Sequence, residues 1–209
     1  MNCPQPVHKI SEQISLINRM RLAWSQHVYW TRMLLISLAA KAPDAQDTAA
    51  RLLQNPADMG AVFKEVFPRE SVAEFEDLLT DHLQIGGALI VALRDGKKEE
   101  AAALDKKWHE NADQLADWFG MVSPNYDRGA VQKMFYDHLD LTSKEVAARL
   151  AGKYPDDIAA FNTVEKEAMN MAEVNKCHSN VIGAEMQPIK RLVSFGIFAS
   201  TFNSIVIRL

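Results

Sequence analysis

The chain has 209 residues, 24% charged and 48% hydrophobic, with a formal net charge of -4. That length carries one domain with a core of its own, and the mild acidity, with no run of lysine or arginine, gives no general attraction to nucleic acid. Cys3 and Cys177 are the only cysteines, which excludes a disulfide framework and a CxxC zinc or redox site, and residues 1–20 lack a signal-peptide apolar core. A cytoplasmic location is expected.

Strand-like alternation is nearly absent, and apolar residues recur at helical spacing. After an irregular start over residues 1–10, a helix is predicted over 11–41, capped near Ser11 and stopped by Pro43. A second helical piece, 44–54, is interrupted at Asn55-Pro56-Ala57-Asp58 and resumes over 59–67 before Pro68. The third predicted helix, 70–94, carries Phe75, Leu78, His82, Ile85, Leu89 and Ala92 on one face, and Asp95-Gly96 supplies its turn. Residues 97–119 follow with Leu104, Trp108, Asn111, Leu115 and Trp118 on one face, then a Gly120 to Asn125 loop. Helices over 127–151 and 156–176 complete the series, separated by Gly152-Lys153-Tyr154-Pro155. The expected fold is all-α: about six helices as three antiparallel hairpins in one up-and-down-like bundle over residues 11–180.

Three histidines set the register of that bundle. His27 lies on the face Met20, Trp24, His27, Thr31, Leu34, Leu38; His82 comes 55 residues later and His138 another 56. The second arm of each hairpin carries an inward polar residue at matching steps: Asn55, Asn111 and Glu167. Thr80-Asp81-His82-Leu83 is similar to Tyr136-Asp137-His138-Leu139, and Thr31 and Thr142 each follow their histidine by four residues, where His82 is followed by Gly86. Units near 11–68, 70–120 and 127–178 therefore read as an internal repeat of low identity.

A buried imidazole needs a partner, and a hairpin neighbour would supply one three times over, so a non-enzymatic bundle with histidine and asparagine layers is the first reading. The alternative is a metal-binding or metal-dependent protein, with His27, His82, His138 and Glu167 holding a divalent transition metal. The Glu-x-x-His pair of the di-iron carboxylate bundles is missing. A small-ligand pocket is a third reading, with Asn55, Asn111, Thr31, Thr142 and Arg32 as its polar residues. Asn55, followed by Pro56, also reads as a helix N-cap, whereas Asn111 sits in mid-helix. Arg32 can clamp an anion or pair with a carboxylate such as Asp81 or Asp137. No GxGxxG, GxxxxGK[ST], HExxH or GxSxG occurs, which removes the common motif-based enzyme assignments.

The segment 189–209 is an apolar tail. Its uncharged stretch, residues 192–207, is short of the roughly 20 residues that span a bilayer. Phe195, Phe198, Phe202, Ile205 and Leu209 fall on one helical face, so an amphipathic helix is expected to dock on the bundle, on a second copy or on a protein partner. Lysine and arginine flank this stripe without lining it, so membrane contact is not expected.

Several separate motifs carry a resemblance over about residues 20–183. They are Trp24-x-x-His27-Val28-x-Trp30-Thr31-Arg32, Arg51-Leu52-Leu53-x-Asn55, Leu78-Leu79-x-Asp81-His82, Lys106-Lys107-Trp108-x-x-Asn111-Ala112-Asp113 and His138-Leu139-x-Leu141-Thr142. This combination resembles a family of small, uncharacterised bacterial and archaeal helical proteins, some of which bear the labels acetylglutamate kinase or glycosyltransferase. The residues support neither label, since an amino-acid kinase needs an α/β sheet with glycine-rich phosphate loops. The resemblance implies a helical bundle and no particular activity. It stops short of the phenylalanine-rich tail.

Overall fold

The computed structural model describes residues 7–174; the tail over 189–209, with its expected docking role, lies outside them. The helices are α1 (Val7–Ala40), α2 (Ala45–Leu52), α3 (Asn55–Phe63), α4 (Arg69–Arg94), α5 (Lys98–Val122), α6 (Arg128–Leu150) and α7 (Tyr154–Val174). No strand occurs among the described residues. The expected six-helix count holds once α2 and α3 are read as one arm broken at Leu53-Gln54. Several boundaries differ from the sequence reading. Asn55-Pro56-Ala57-Asp58, expected as the interruption, lies inside α3, which stops at Phe63 rather than residue 67. Gly120, expected in a loop, lies inside α5, which runs to Val122. The first helix starts at Val7, so Ser11 lies inside it and caps nothing. The last starts at Tyr154, with Pro155 in its first turn, where the missing N–H costs no intrahelical bond.

Three helices end the same way. Lys41, Gly96 and Gly152 take left-handed backbone angles, φ 51°, 72° and 69°. After each, the next amide donates back to a carbonyl five residues earlier: Ala42 to Ser37 at 2.9 Å, Lys97 to Ala92 at 3.0 Å and Lys153 to Ala148 at 3.0 Å. This is the Schellman stop, which satisfies carbonyls a helix end would leave unpaired. At the other end of α6, Asp127 caps the helix by accepting from the Ala130 amide at 2.7 Å.

The short connections fold successive helices back on one another, and the packing closes into a circuit. α1 packs on α3, α3 on α4, α4 on α5, α5 on α6, α6 on α7, and α7 returns to α1; α1 also reaches α4 and α6. The core has two clusters. One is aromatic, with Phe63, Phe67, Phe75, Trp118, Phe119 and Phe135; each large side chain removed from water contributes roughly 1.5–3 kcal/mol. The Trp118 indole is fully buried, and its N–H donates to the Ser71 carbonyl at 2.7 Å. The other cluster is aliphatic, with Leu34, Leu35, Leu38, Leu52, Leu83, Ile90 and Val146. No described helix is long and apolar enough to cross a membrane.

Candidate functional site

His27, His82 and His138 sit on α1, α4 and α6, and all three line one cavity. They are 3%, 3% and 4% exposed. Each places its Nδ1 against a side chain of its hairpin partner: His27 with Asn55 Oδ1 at 3.0 Å, His82 with Asn111 Oδ1 at 2.8 Å, and His138 with Glu167 Oε2 at 2.9 Å. The polar pairs anticipated from 56-residue spacing are therefore direct hydrogen bonds.

The asparagines also fix which ring nitrogen holds the proton. Asn55 Nδ2 donates to the Ala23 carbonyl at 2.9 Å and Asn111 Nδ2 to the Leu78 carbonyl at 2.9 Å. Each carbonyl belongs to the residue four before the histidine, on the histidine's own helix. The amide nitrogen must face that carbonyl, so the amide oxygen faces the imidazole, and Nδ1 must donate. In the neutral ring Nε2 then keeps its lone pair. Burial, followed by the neighbouring His138, pushes His27 down to about 4, against the raising effect of Asn55. Burial and then His27 push His82 down to about 3. Both rings are neutral at physiological pH. No hydrogen bond from a described residue reaches any of the three Nε2 atoms, and none of those atoms is fully enclosed without a partner; among the described residues that condition holds for Thr31 Oγ1 and Arg51 Nη1.

This arrangement corrects the N-cap reading of Asn55. The N-cap position of α3 is Gln54, and Asn55 turns inward, 0% exposed. Glu167 stands behind the His138 ring, in the place that asparagine holds in the other hairpins.

The two closest imidazoles are His27 and His138, with ring centroids 5.9 Å apart and Trp24 edge-on to both. Two imidazoles bound to one ion through bonds of about 2.0–2.1 Å have centroids roughly 5–6 Å apart, so this pair has the spacing of two ligands. His82 faces the same cavity, stacked beside Trp108 at 5.3 Å, whose indole N–H donates to the His82 carbonyl at 3.1 Å. As the side chains stand, no three His, Cys, Asp or Glu groups among the described residues are close enough to hold an ion between them.

The cavity gives about 40 Å³ of room to water-sized molecules and opens to solvent at one mouth. Leu34, Leu83, Ile90 and Val146 form much of its wall, the exposed Leu93 also lines it, and among the described residues no Lys, Arg, Asp or Glu does. Thr31 and Thr142 both reach it. Thr142 donates to the His138 carbonyl at 2.9 Å, whereas the buried Thr31 hydroxyl has no partner.

Arg32 points away from this space, and its partners are neither Asp81 nor Asp137. Its Nη1 meets Glu145 at 2.5 Å and Asp157 at 2.8 Å, and its guanidinium lies 4.6 Å from the Phe161 ring centre. Arg149 adds a contact to Asp157 at 3.2 Å. Glu145 and Asp157 are 2% and 0% exposed. Burial pushes Glu145 up to about 7 although Arg32 works against it. Sequence reasoning missed both acids. A sequence signal did exist for Glu145, which falls seven residues after His138 on the same helical face.

Fold and site together define an all-α bundle built around a buried three-histidine cavity. Comparisons with protein-family models, curated proteins and solved structures find no match.

Proposed function

We propose that the protein binds a divalent transition metal through His27, His82 and His138, and that the cavity above them receives a small ligand. One observation carries the reading: all three imidazoles use Nδ1 to hold an acceptor on a neighbouring helix, which leaves three Nε2 atoms without a hydrogen bond from the described residues, on histidines that line one cavity. Metal-ligating histidines use this arrangement, in which an outer oxygen fixes ring and tautomer. Asn55 and Asn111 orient neutral ligands, and Glu167 adds one negative charge behind the third, which favours a cation at its far nitrogen. Three protein nitrogens leave a coordination position facing the cavity, the composition of an open metal site. Binding requires His82 and Asn111 to shift together toward the His27–His138 pair, so that the Nδ1 hydrogen bond is kept. The recurrence of histidine, partner and helix stop at steps of 55 and 56 residues supports a further element of the proposal, that the hairpins are copies of one unit.

Titration of metal-free protein with Co²⁺ or Zn²⁺, followed by absorption and calorimetry, tests this. One equivalent is expected to bind, with a tetrahedral Co²⁺ spectrum. Each His→Ala change should weaken binding, and Asn111→Leu should cost about 10–100-fold. Failure of every first-row divalent metal to bind well-folded protein would reject the proposal. A second reading would then stand, that of an architectural bundle whose pairs specify packing, supported by each pair joining two helices.

A further inference from the structure

Two adjacent glycines interrupt the interior of α4 beside the cavity, and they differ in what surrounds them. A Cβ at Gly86 would come 3.3 Å from the Trp108 ring, so packing accounts for that glycine. A Cβ at Gly87 would meet nothing within 4 Å, yet Gly87 is buried and lines the cavity. Glycine weakens a helix interior, and a gap in a core forfeits dispersion contacts. Fold stability alone therefore selects against glycine here; alanine would improve both terms without a clash. Room for a ligand explains it.

The walls say what kind of ligand. The body of the space is apolar, formed by Leu34, Leu83, Ile90 and Val146, and among the described residues no charged side chain lines it. In the metal-free protein a fixed charge on the ligand would be desolvated there without a partner. The polar residues that line it are the three histidines, Thr142, Ser143 and Thr31, whose buried hydroxyl has no partner among the described residues. We infer that the cavity is a binding site for a small uncharged amphiphile, an apolar body carrying one hydroxyl-type head, with the head at the histidines and the body against Gly87. Gly87 is its size-determining residue. The inference rests on the proposed function only for the partner of the head group; the apolar compartment stands without a metal.

Phenol and n-pentanol are suitable probes, with pentanoate and pentylammonium as charged counterparts, measured by calorimetry on the full chain with and without Zn²⁺. In the metal-free protein both neutral probes should bind, and both charged ones should bind at least about tenfold more weakly; with Zn²⁺ bound, pentanoate gains a cation partner and only pentylammonium stays weak. Gly87→Leu should weaken phenol binding about tenfold or more, while Zn²⁺ affinity and thermal stability are retained. Should that variant fail to fold, Gly87→Ala, whose methyl meets nothing within 4 Å, should still lower phenol affinity and raise the melting temperature. Neutral probes that fail to bind, charged probes that bind the metal-free protein equally well, or phenol affinity unmoved by the Gly87 substitutions would each overturn the inference. Phenol binding that depends on Gly87 in protein unable to hold Zn²⁺ would support it and reject the metal centre. Zn²⁺ binding without phenol binding would do the reverse.

Discussion

Asn111 Oδ1 accepts from His82 Nδ1 at 2.8 Å while its own Nδ2 donates to the Leu78 carbonyl at 2.9 Å, one turn before the histidine on α4. One carboxamide thus bridges side chain and backbone of the neighbouring helix, and Asn55 repeats the bridge to His27 and Ala23. Removing one partner strands the other in an apolar interior. His82→Leu alone is expected to cost about 1–3 kcal/mol. The double variant with Asn111→Leu should recover part of that cost, giving a coupling energy of about 0.5–3 kcal/mol in urea denaturation. Strictly additive costs would show that the pair does not act as a unit.

Stability should fall with acidification, and the sign follows from the two buried rings. His27 and His82 titrate near 6.5 when unfolded and at about 4 and about 3 when folded. Between those limits the unfolded chain binds two more protons, so stability drops as pH falls, by up to about 2.7 kcal/mol per unit. Glu145 acts oppositely: raised from 4.5 to about 7, it holds a proton in the native state that the unfolded chain has released. Near pH 5–5.5 the net difference is about one proton, or about 1.4 kcal/mol per unit, and it falls toward zero by pH 7. Glu145→Gln removes the opposing contribution and should steepen the loss toward two protons. Urea midpoints for both proteins at pH 5, 6 and 7 measure this. Curves that are flat over that range would show the histidines to be protonated in the fold.

Lys41 does with a side chain what Gly96 and Gly152 do without one. It takes φ 51° in the same helix-stop geometry, and its ammonium, 71% exposed, reaches Asp95 only at 3.8 Å. The left-handed conformation costs a non-glycine residue about 1–2 kcal/mol, while an exposed ion pair at that distance contributes little. Lys41→Gly is expected to stabilise the protein by about 0.5–1 kcal/mol, the remainder being offset by the greater freedom of glycine when unfolded. An unchanged or lower melting temperature would contradict the assignment of strain to this position.

The histidine ladder and two of its partners were legible in the sequence because they follow one helical face per element, which periodicity reports directly. Asn111 stood out for a physical reason: a mid-helix asparagine flanked by Trp108 and Leu115 has no cap to serve. Asn55 was ambiguous, since Asn-Pro is also an N-cap signature, and only the azimuth of α3 relative to α1 decides between the roles. The Arg32 partners were not legible. Pairing Arg32 with Asp157 requires the axial register between α1 and α7, 125 residues apart, and spacing within a helix carries no such information. Gly87 was visible as part of a helix-weakening pair, but its meaning depends on the space opposite it.

Arg32 is the charge on which three helices converge. It reaches from α1 to Glu145 on α6 and Asp157 on α7, both almost wholly removed from water, with Arg149 meeting only the second of them. Replacing Arg32 by methionine keeps much of the packing against Phe161 but leaves Glu145 without its cation. Breaking a buried pair costs about 3–5 kcal/mol where the remaining acid stays charged, so the loss should be largest above pH 7 and smaller below it, where Glu145 takes up a proton. Adding Glu145→Gln should restore part of the loss, since the amide carries no charge, whereas Glu145→Gln in the wild type should cost much less than Arg32→Met. The same contact ties α1 to α6, the helices that bring His27 and His138 to 5.9 Å. Arg32→Met should therefore also weaken Co²⁺ binding under conditions where the variant remains folded, and the double variant should recover stability ahead of metal affinity. Equal denaturation midpoints for Arg32→Met and wild type would show that the network contributes nothing to holding these helices.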